Sequence, residues 1–150
     1  MAADSANAII EEVKNMLKTN PYAKYKEVQI KSATKENLVI MAYDGAIKFL
    51  NRAREAFKNK DYEDINNNIL RTQAIISEMM VSLNFEEGKE IAINLFRLYE
   101  YMNYRLTYVN IKKDPEPLDE IIELLLTLRD GWLVAREKVS NNGKSAEAAK

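Results

Sequence analysis

The stretch Leu38–Leu50, LVIMAYDGAIKFL, constrains the fold more than any other part of this chain, because as a helix it is apolar on two opposite sides. At about 100° per residue, Leu38, Ala42, Gly45, Phe49 and Ala53 fall on one side, while Ile40, Tyr43 and Ile47 gather on the other. One apolar face is enough to join a core, so a second face asks for a second packing partner. Gly45 costs the helix about 1 kcal/mol relative to alanine, and its missing side chain lets another backbone come close. Tight helix packing explains such a glycine as readily as a docking site does.

Punctuation delimits four long helical segments. The first runs from about Lys35 to Asn59, with Thr34 as N-cap and Glu36 near the positive end of the dipole. After the turn Asn59-Lys60-Asp61, Asp61 caps a second helix to about Leu83, with an inward stripe of Ile65, Ile69, Thr72, Ile76, Met79 and Leu83. Gly88 marks the next break. The third helix, about Glu90 to Lys112, repeats Ile91, Leu95, Leu98, Met102, Leu106 and Val109 on one face. Asp114-Pro115 opens the fourth, which tolerates Pro115 and Pro117 in a first turn whose N–H groups are unpaired. It continues through Leu118, Ile121, Leu125, Leu128 and Trp132 to about Val139. Long helices joined by short turns, without strand-like alternation, predict an all-α fold: an antiparallel up-and-down four-helix bundle.

The ends differ from the middle. Ile9, Ile10, Val13, Met16 and Leu17 have the spacing of a short amphipathic helix that stops before Asn20-Pro21. Residues Pro21 to Ser32 form a polar connector, and the Ser-, Asn-, Gly- and Ala-rich stretch 140–150 is expected to be a disordered tail. The domain reading is therefore an N-terminal helical extension over 1–19, a bundle over 20–139 and a tail over 140–150. No run approaches the roughly 20 apolar residues of a membrane span, and MAADSANAII lacks the basic start of a signal peptide, so a cytoplasmic protein is expected.

Composition excludes several functions. The chain has no His and no Cys, which removes Ser/His/Asp and Cys/His nucleophilic machinery and the Glu-x-x-His ligation of di-iron bundles. The pairs Glu11-Glu12, Glu86-Glu87 and Asp119-Glu120 read as solvated or helix-start charges, and no spacing asks for a metal or cofactor. With 22 basic and 23 acidic residues the net charge is −1, so no global field attracts nucleic acid or an anionic membrane. A partner is expected to be held by apolar contact.

The outer faces carry the candidate site. On the second helix Leu70, Ala74, Ser77 and Val81 line up opposite the core stripe. On the third, Ile93, Tyr104 and Ile111 lie opposite the core with Phe96 flanking, and Tyr101, Tyr104 and Tyr108 form a second ridge. Tyrosine suits a surface that is covered part of the time, having an apolar body and a polar tip. Scattered surface apolars are common, but a monomer rarely exposes contiguous apolar area beyond a few hundred Å². Three occupants are conceivable: the N-terminal helix, a second copy of the chain, or an amphipathic partner.

Asn20-Pro21-Tyr22, Tyr25, Val28, Ala33-Thr34 and Tyr43-Asp44-Gly45-Ala46, followed by Glu90-Ile91-Ala92, Asn94-Leu95, Leu98-Tyr99, Tyr101-Met102, Leu128-Arg129 and Trp132, resemble the FliS family of flagellin-specific export chaperones in order and spacing. The resemblance covers about residues 20 to 138. It implies a chaperone without catalysis that binds the disordered C-terminal region of flagellin 1:1, prevents premature polymerisation and keeps it competent for flagellar type III secretion. It also implies that the segment holding Tyr22 and Tyr25 caps the groove and is displaced by flagellin. Two departures stand out: Lys35 where the family has proline, and about 20 residues ahead of Asn20-Pro21-Tyr22. Those extra residues self-occupy the groove, tune affinity or pack elsewhere, and the sequence leaves all three open. Contacts with export-gate components and self-association are left open too, as is a regulatory or scaffolding bundle for some other helix.

Wrapping is demanding. Ordering about 40 residues costs on the order of 40–80 kcal/mol of backbone entropy, which at about 25 cal/mol per Å² asks for well over 1,500 Å² of apolar burial plus new hydrogen bonds. Several helix faces must therefore contribute, and the expected partner-binding set is Tyr22, Tyr25, Ile40, Tyr43, Ile47, Leu70, Ala74, Ser77, Val81, Ile93, Phe96 and Tyr104.

Overall fold

The computed structural model describes residues 34–148, so the expected helix over 1–19 lies outside the described residues. Four helices follow in order: α1 Lys35–Lys58, α2 Tyr62–Val81, α3 Phe85–Lys112 and α4 Leu118–Ala148. Each start has a local reason. Thr34 accepts the Asn37 N–H on Oγ1 at 3.3 Å, Asp61 accepts that of Asp64 at 3.1 Å, and Asn84 accepts those of Glu86 and Glu87, both at 3.1 Å. These contacts satisfy N–H groups that the first helical turn cannot pair internally.

Side-chain bridges fix the topology. Asn37 meets Arg136, Asp44 meets Arg129, and Arg54 meets Asp119, so α1 and α4 run antiparallel. Asn66 meets Asn110 and Gln73 meets Thr107, so α2 and α3 do the same. With the short α1–α2 turn this is an up-and-down bundle, as the helix lengths and turns predict. α1 packs along both α2 and α4, and α2 along both α1 and α3. α3 and α4 meet sparingly. Tyr101 of α3 bridges to Glu120 of α4, and Arg105 to Glu116 in the connecting turn itself.

The double-faced α1 finds both of its partners inside the chain. Ala42, Phe49 and Ala53 are buried, and so are Ile40 and Tyr43 on the opposite side. A helix between two neighbours needs two apolar faces, so this pattern marks an inner helix and not an open one. Arg52 and Arg71 lie 5.9 and 5.6 Å from the centroid of the Phe49 ring, covering the end of the core with cationic planes.

Three expectations change. Residues 114–117 form a turn ahead of α4: Asp114 Oδ1 accepts the Glu116 N–H at 3.0 Å and the Pro115 carbonyl accepts that of Leu118 at 3.0 Å. Pro117 disfavours helical geometry at Glu116, which delays the helix to Leu118. At the other end α4 continues to Ala148, past both the expected stop at Val139 and the expected disordered tail. No proline interrupts the segment, and extending an existing helix costs far less than nucleating one. On α3, Ile91 is 71% exposed, and Ala92 and Tyr99 take the buried positions of the first turns. Lys89 has φ 48° and ψ −121°, a break that resets the helix next to the expected Gly88 punctuation. Among the described residues no helix is long and apolar enough to cross a membrane.

Candidate functional site

Along the outer seam between α2 and α3 runs a line of polar side chains. Asn110 Nδ2 donates to Asn66 Oδ1 at 2.8 Å. Gln73 Nε2 donates to Thr107 Oγ1 at 2.9 Å and to the Asn103 carbonyl at 3.1 Å, and Asn103 Nδ2 donates to Ser77 Oγ at 3.1 Å. The bonds hold the two helices in one register, although one buried atom of the ladder, Asn103 Oδ1, has no partner among the described residues. Sequence reasoning missed this ladder. Its trace is the recurrence of amides and hydroxyls at positions 66, 73 and 77 on α2 and 103, 107 and 110 on α3, each at helical spacing.

Flanking the ladder, one helical step farther from the core, are the apolar residues of the expected site. Leu70 and Val81 on α2 and Ile93, Tyr104 and Ile111 on α3 are exposed, Tyr104 and Ile111 at 73% each. Ala74 is half-buried between them. The antiparallel register sets Leu70 between the levels of Tyr104 and Ile111, and Val81 at the level of Phe96 and Arg97, about a turn from Ile93. At that end Phe96 is half-buried, and its ring meets Phe85 edge-on with centroids 6.0 Å apart. The outcome is a shallow groove with a hydrogen-bonded polar floor and apolar walls. Ser77 belongs to the floor.

The remaining expected site residues divide. Ile40 and Tyr43 are enclosed by the bundle and offer no open surface, and Ile47 beside them is half-buried. Tyr43 shares a hydrogen bond between hydroxyls with Tyr99 and accepts one from Trp132 Nε1 at 3.3 Å. Burial pushes the Tyr43 phenol pKa above its ordinary value, and burial followed by the neighbouring Tyr43 does the same to Tyr99. The pair is a neutral polar bolt inside the fold. Tyr22 and Tyr25 lie outside the described residues.

The expected tyrosine ridge also splits. Tyr101 donates to Glu120 Oε1 at 2.5 Å and Tyr108 to Asp114 Oδ2 at 3.0 Å, and these carboxylates raise both phenol pKa values. Those two face the start of α4, leaving Tyr104 alone on the groove. Among the described residues, no cluster of carboxylates is arranged to hold a metal ion. The surface has the chemistry of a docking site: apolar walls for an amphipathic helix over a seam of polar groups that mostly bond one another.

Comparison with known proteins gives this geometry a context. A family model described as "Flagellar protein FliS" matches residues 18–139. The flagellar secretion chaperone FliS of Bacillus subtilis (strain 168) is 35% identical over 113 residues, 75% of this chain and 84% of that protein. The flagellar secretion chaperone FliSB of Pseudomonas aeruginosa is 35% identical over 106 residues, 71% of this chain and 84% of its own. The flagellar secretion chaperone FliS of Campylobacter jejuni is 29% identical over 126 residues, 84% of this chain and 95% of its own.

Proposed function

The chain belongs to the FliS family of flagellar secretion chaperones, and from this premise we propose that it binds the disordered C-terminal region of flagellin in the cytoplasm, as a 1:1 complex, with the α2–α3 groove as one of the surfaces it uses. The observation that carries this reading is the row of exposed apolar side chains along two adjacent helices, Leu70 and Val81 on α2 and Ile93, Tyr104 and Ile111 on α3, on either side of a hydrogen-bonded polar floor. An amphipathic helix laid into it would cover the walls with its apolar face, and its edges would meet groups that tolerate water. The gain is apolar burial at about 25 cal/mol per Å², which a single groove cannot raise high enough to order a long client. Other faces of the bundle share the task, and a client held in this way is kept from polymerising.

The test is calorimetric titration with a peptide covering the C-terminal helical region of flagellin from the same organism. Submicromolar 1:1 binding, a large negative heat-capacity change and weak salt dependence are expected of apolar burial coupled to ordering. Leu70→Asp and Val81→Asp each place a carboxylate where the client would dehydrate it, and should weaken binding on the order of 100-fold while helicity is unchanged. Absence of binding by the unmodified chain would overturn the flagellin reading. Full affinity in both variants would move the site elsewhere.

A further inference from the structure

α3 and α4 are neighbours in sequence, yet beyond the bridges from Tyr101 and Arg105 to Glu120 and Glu116 they part, leaving a cleft toward the start of α3. At its mouth is a pocket of about 300 Å³ whose lining includes Val39, Leu83, Ile91, Leu95, Tyr99 and Trp132. On the α4 side, Leu124, Leu128 and Gly131 share the helix face that carries Glu120, the residue reaching Tyr101 of α3. Gly131 is exposed, and no atom lies within 4 Å of the position its Cβ would take. A glycine in a helix interior costs about 1 kcal/mol, and the bundle supplies no contact that requires one here.

We propose that this cleft is the seat of the chain's own segment Ile9–Leu17, docked as a short helix, and that the α2–α3 groove stays open beside it. Ile9, Ile10, Val13, Met16 and Leu17 make one apolar stripe at helical spacing, whereas Pro21–Ser32 interleaves its apolar residues with Lys24, Lys26, Glu27, Gln29 and Lys31. Nine helical residues span about 13 Å, and the α3 wall from Ile91 to Tyr101 spans about 15 Å. The described chain begins at Thr34, next to Lys35, which itself lines the pocket. A connector of residues 20–33 reaches at most about 45 Å and needs no passage across α3 to place the segment there. The chemistry also selects the cleft. The stripe offers no hydrogen-bonding group, which matches Val39, Leu95 and Trp132 better than the amide ladder flooring the groove.

Trp132 is the one tryptophan of the chain and lines the pocket, so it reports the seat directly. Deleting residues 2–19, or replacing Val13→Asp in the full chain, should shift its emission to the red and raise acrylamide quenching while helicity of the bundle is retained. Because the chain has no cysteine, pairs can be introduced cleanly: Val13→Cys should cross-link to Leu128→Cys and not to Leu70→Cys. Unchanged Trp132 emission in both variants, a cross-link to position 70, or emission that depends on protein concentration would overturn the proposal, the last by pointing to a second copy. None of these readouts involves a client, so the proposal and the flagellin reading fail separately.

Discussion

At the scale of single residues, Tyr43 shows how chemistry alters a packing pattern. Its ring completes the second apolar face of α1, but its hydroxyl sits inside the bundle between Tyr99 and Trp132. Removing that oxygen strands two partners, whereas removing the Tyr99 hydroxyl leaves Tyr43 still accepting from Trp132. A buried polar group without a partner costs roughly 1–3 kcal/mol, so Tyr43→Phe should lower stability by about that amount and Tyr99→Phe by less. Denaturant titration of the two variants checks the order, and equal losses would contradict the arrangement. Neither effect should reach the α2–α3 groove, because both hydroxyls are spent within the bundle.

At the scale of elements, α3 is where local and tertiary demands conflict. Lys89 holds φ 48° and ψ −121°, a region in which a side chain is strained and glycine is not. Gly88 precedes it, where an added Cβ would come within 2.8 Å of the Ala92 Cβ. The glycine therefore meets a spacing need and the lysine bears the conformational cost. Lys89→Gly should stabilise the chain by about 1 kcal/mol, seen as a higher denaturant midpoint; a lower one would mean that the Lys89 side chain contributes more than the strain costs. Periodicity and caps made α1 and α2 legible because both obey local rules: Thr34 and Asp61 cap where expected, and the α2 stripe from Ile65 to Met79 is buried. At the candidate site, spacing made the exposure of Leu70, Val81 and Tyr104 legible because each lies opposite the buried stripe of its own helix. Spacing alone could not tell that α1 lies between two helices, so Ile40 and Tyr43 looked available. Nor could it show that α3 and α4 diverge, which depends on how helices far apart in sequence settle against α1.

At the scale of the whole molecule, arginines tie the elements together and buried phenols set how the bundle responds to strong base. Among the described residues, the ion pairs that join separate elements are made by arginine: Arg129 with Asp44, Arg54 with Asp119 and Arg105 with Glu116 of the turn before α4. The planar guanidinium fork matches a carboxylate better than an ammonium does, which suits it to joining separate elements. The buried phenols behave differently. Folding raises the pKa of Tyr43 and Tyr99, chiefly by burial, above the ordinary value of 10.0. Below about pH 10 both are protonated whether the chain is folded or not, and their contribution to stability is intact. Above it the unfolded chain releases protons that the native state retains, so stability falls as pH rises. Denaturant titrations on either side of about pH 10 should show this loss, and the Tyr43→Phe, Tyr99→Phe double variant should show a shallower slope from a lower starting stability. The exposed Tyr101 and Tyr108, also raised by their carboxylates, would keep a small remainder of the slope. A slope unchanged in the double variant would mean that the two phenols ionise inside the fold as they do in water, which the enclosed Tyr43–Tyr99–Trp132 contact does not allow.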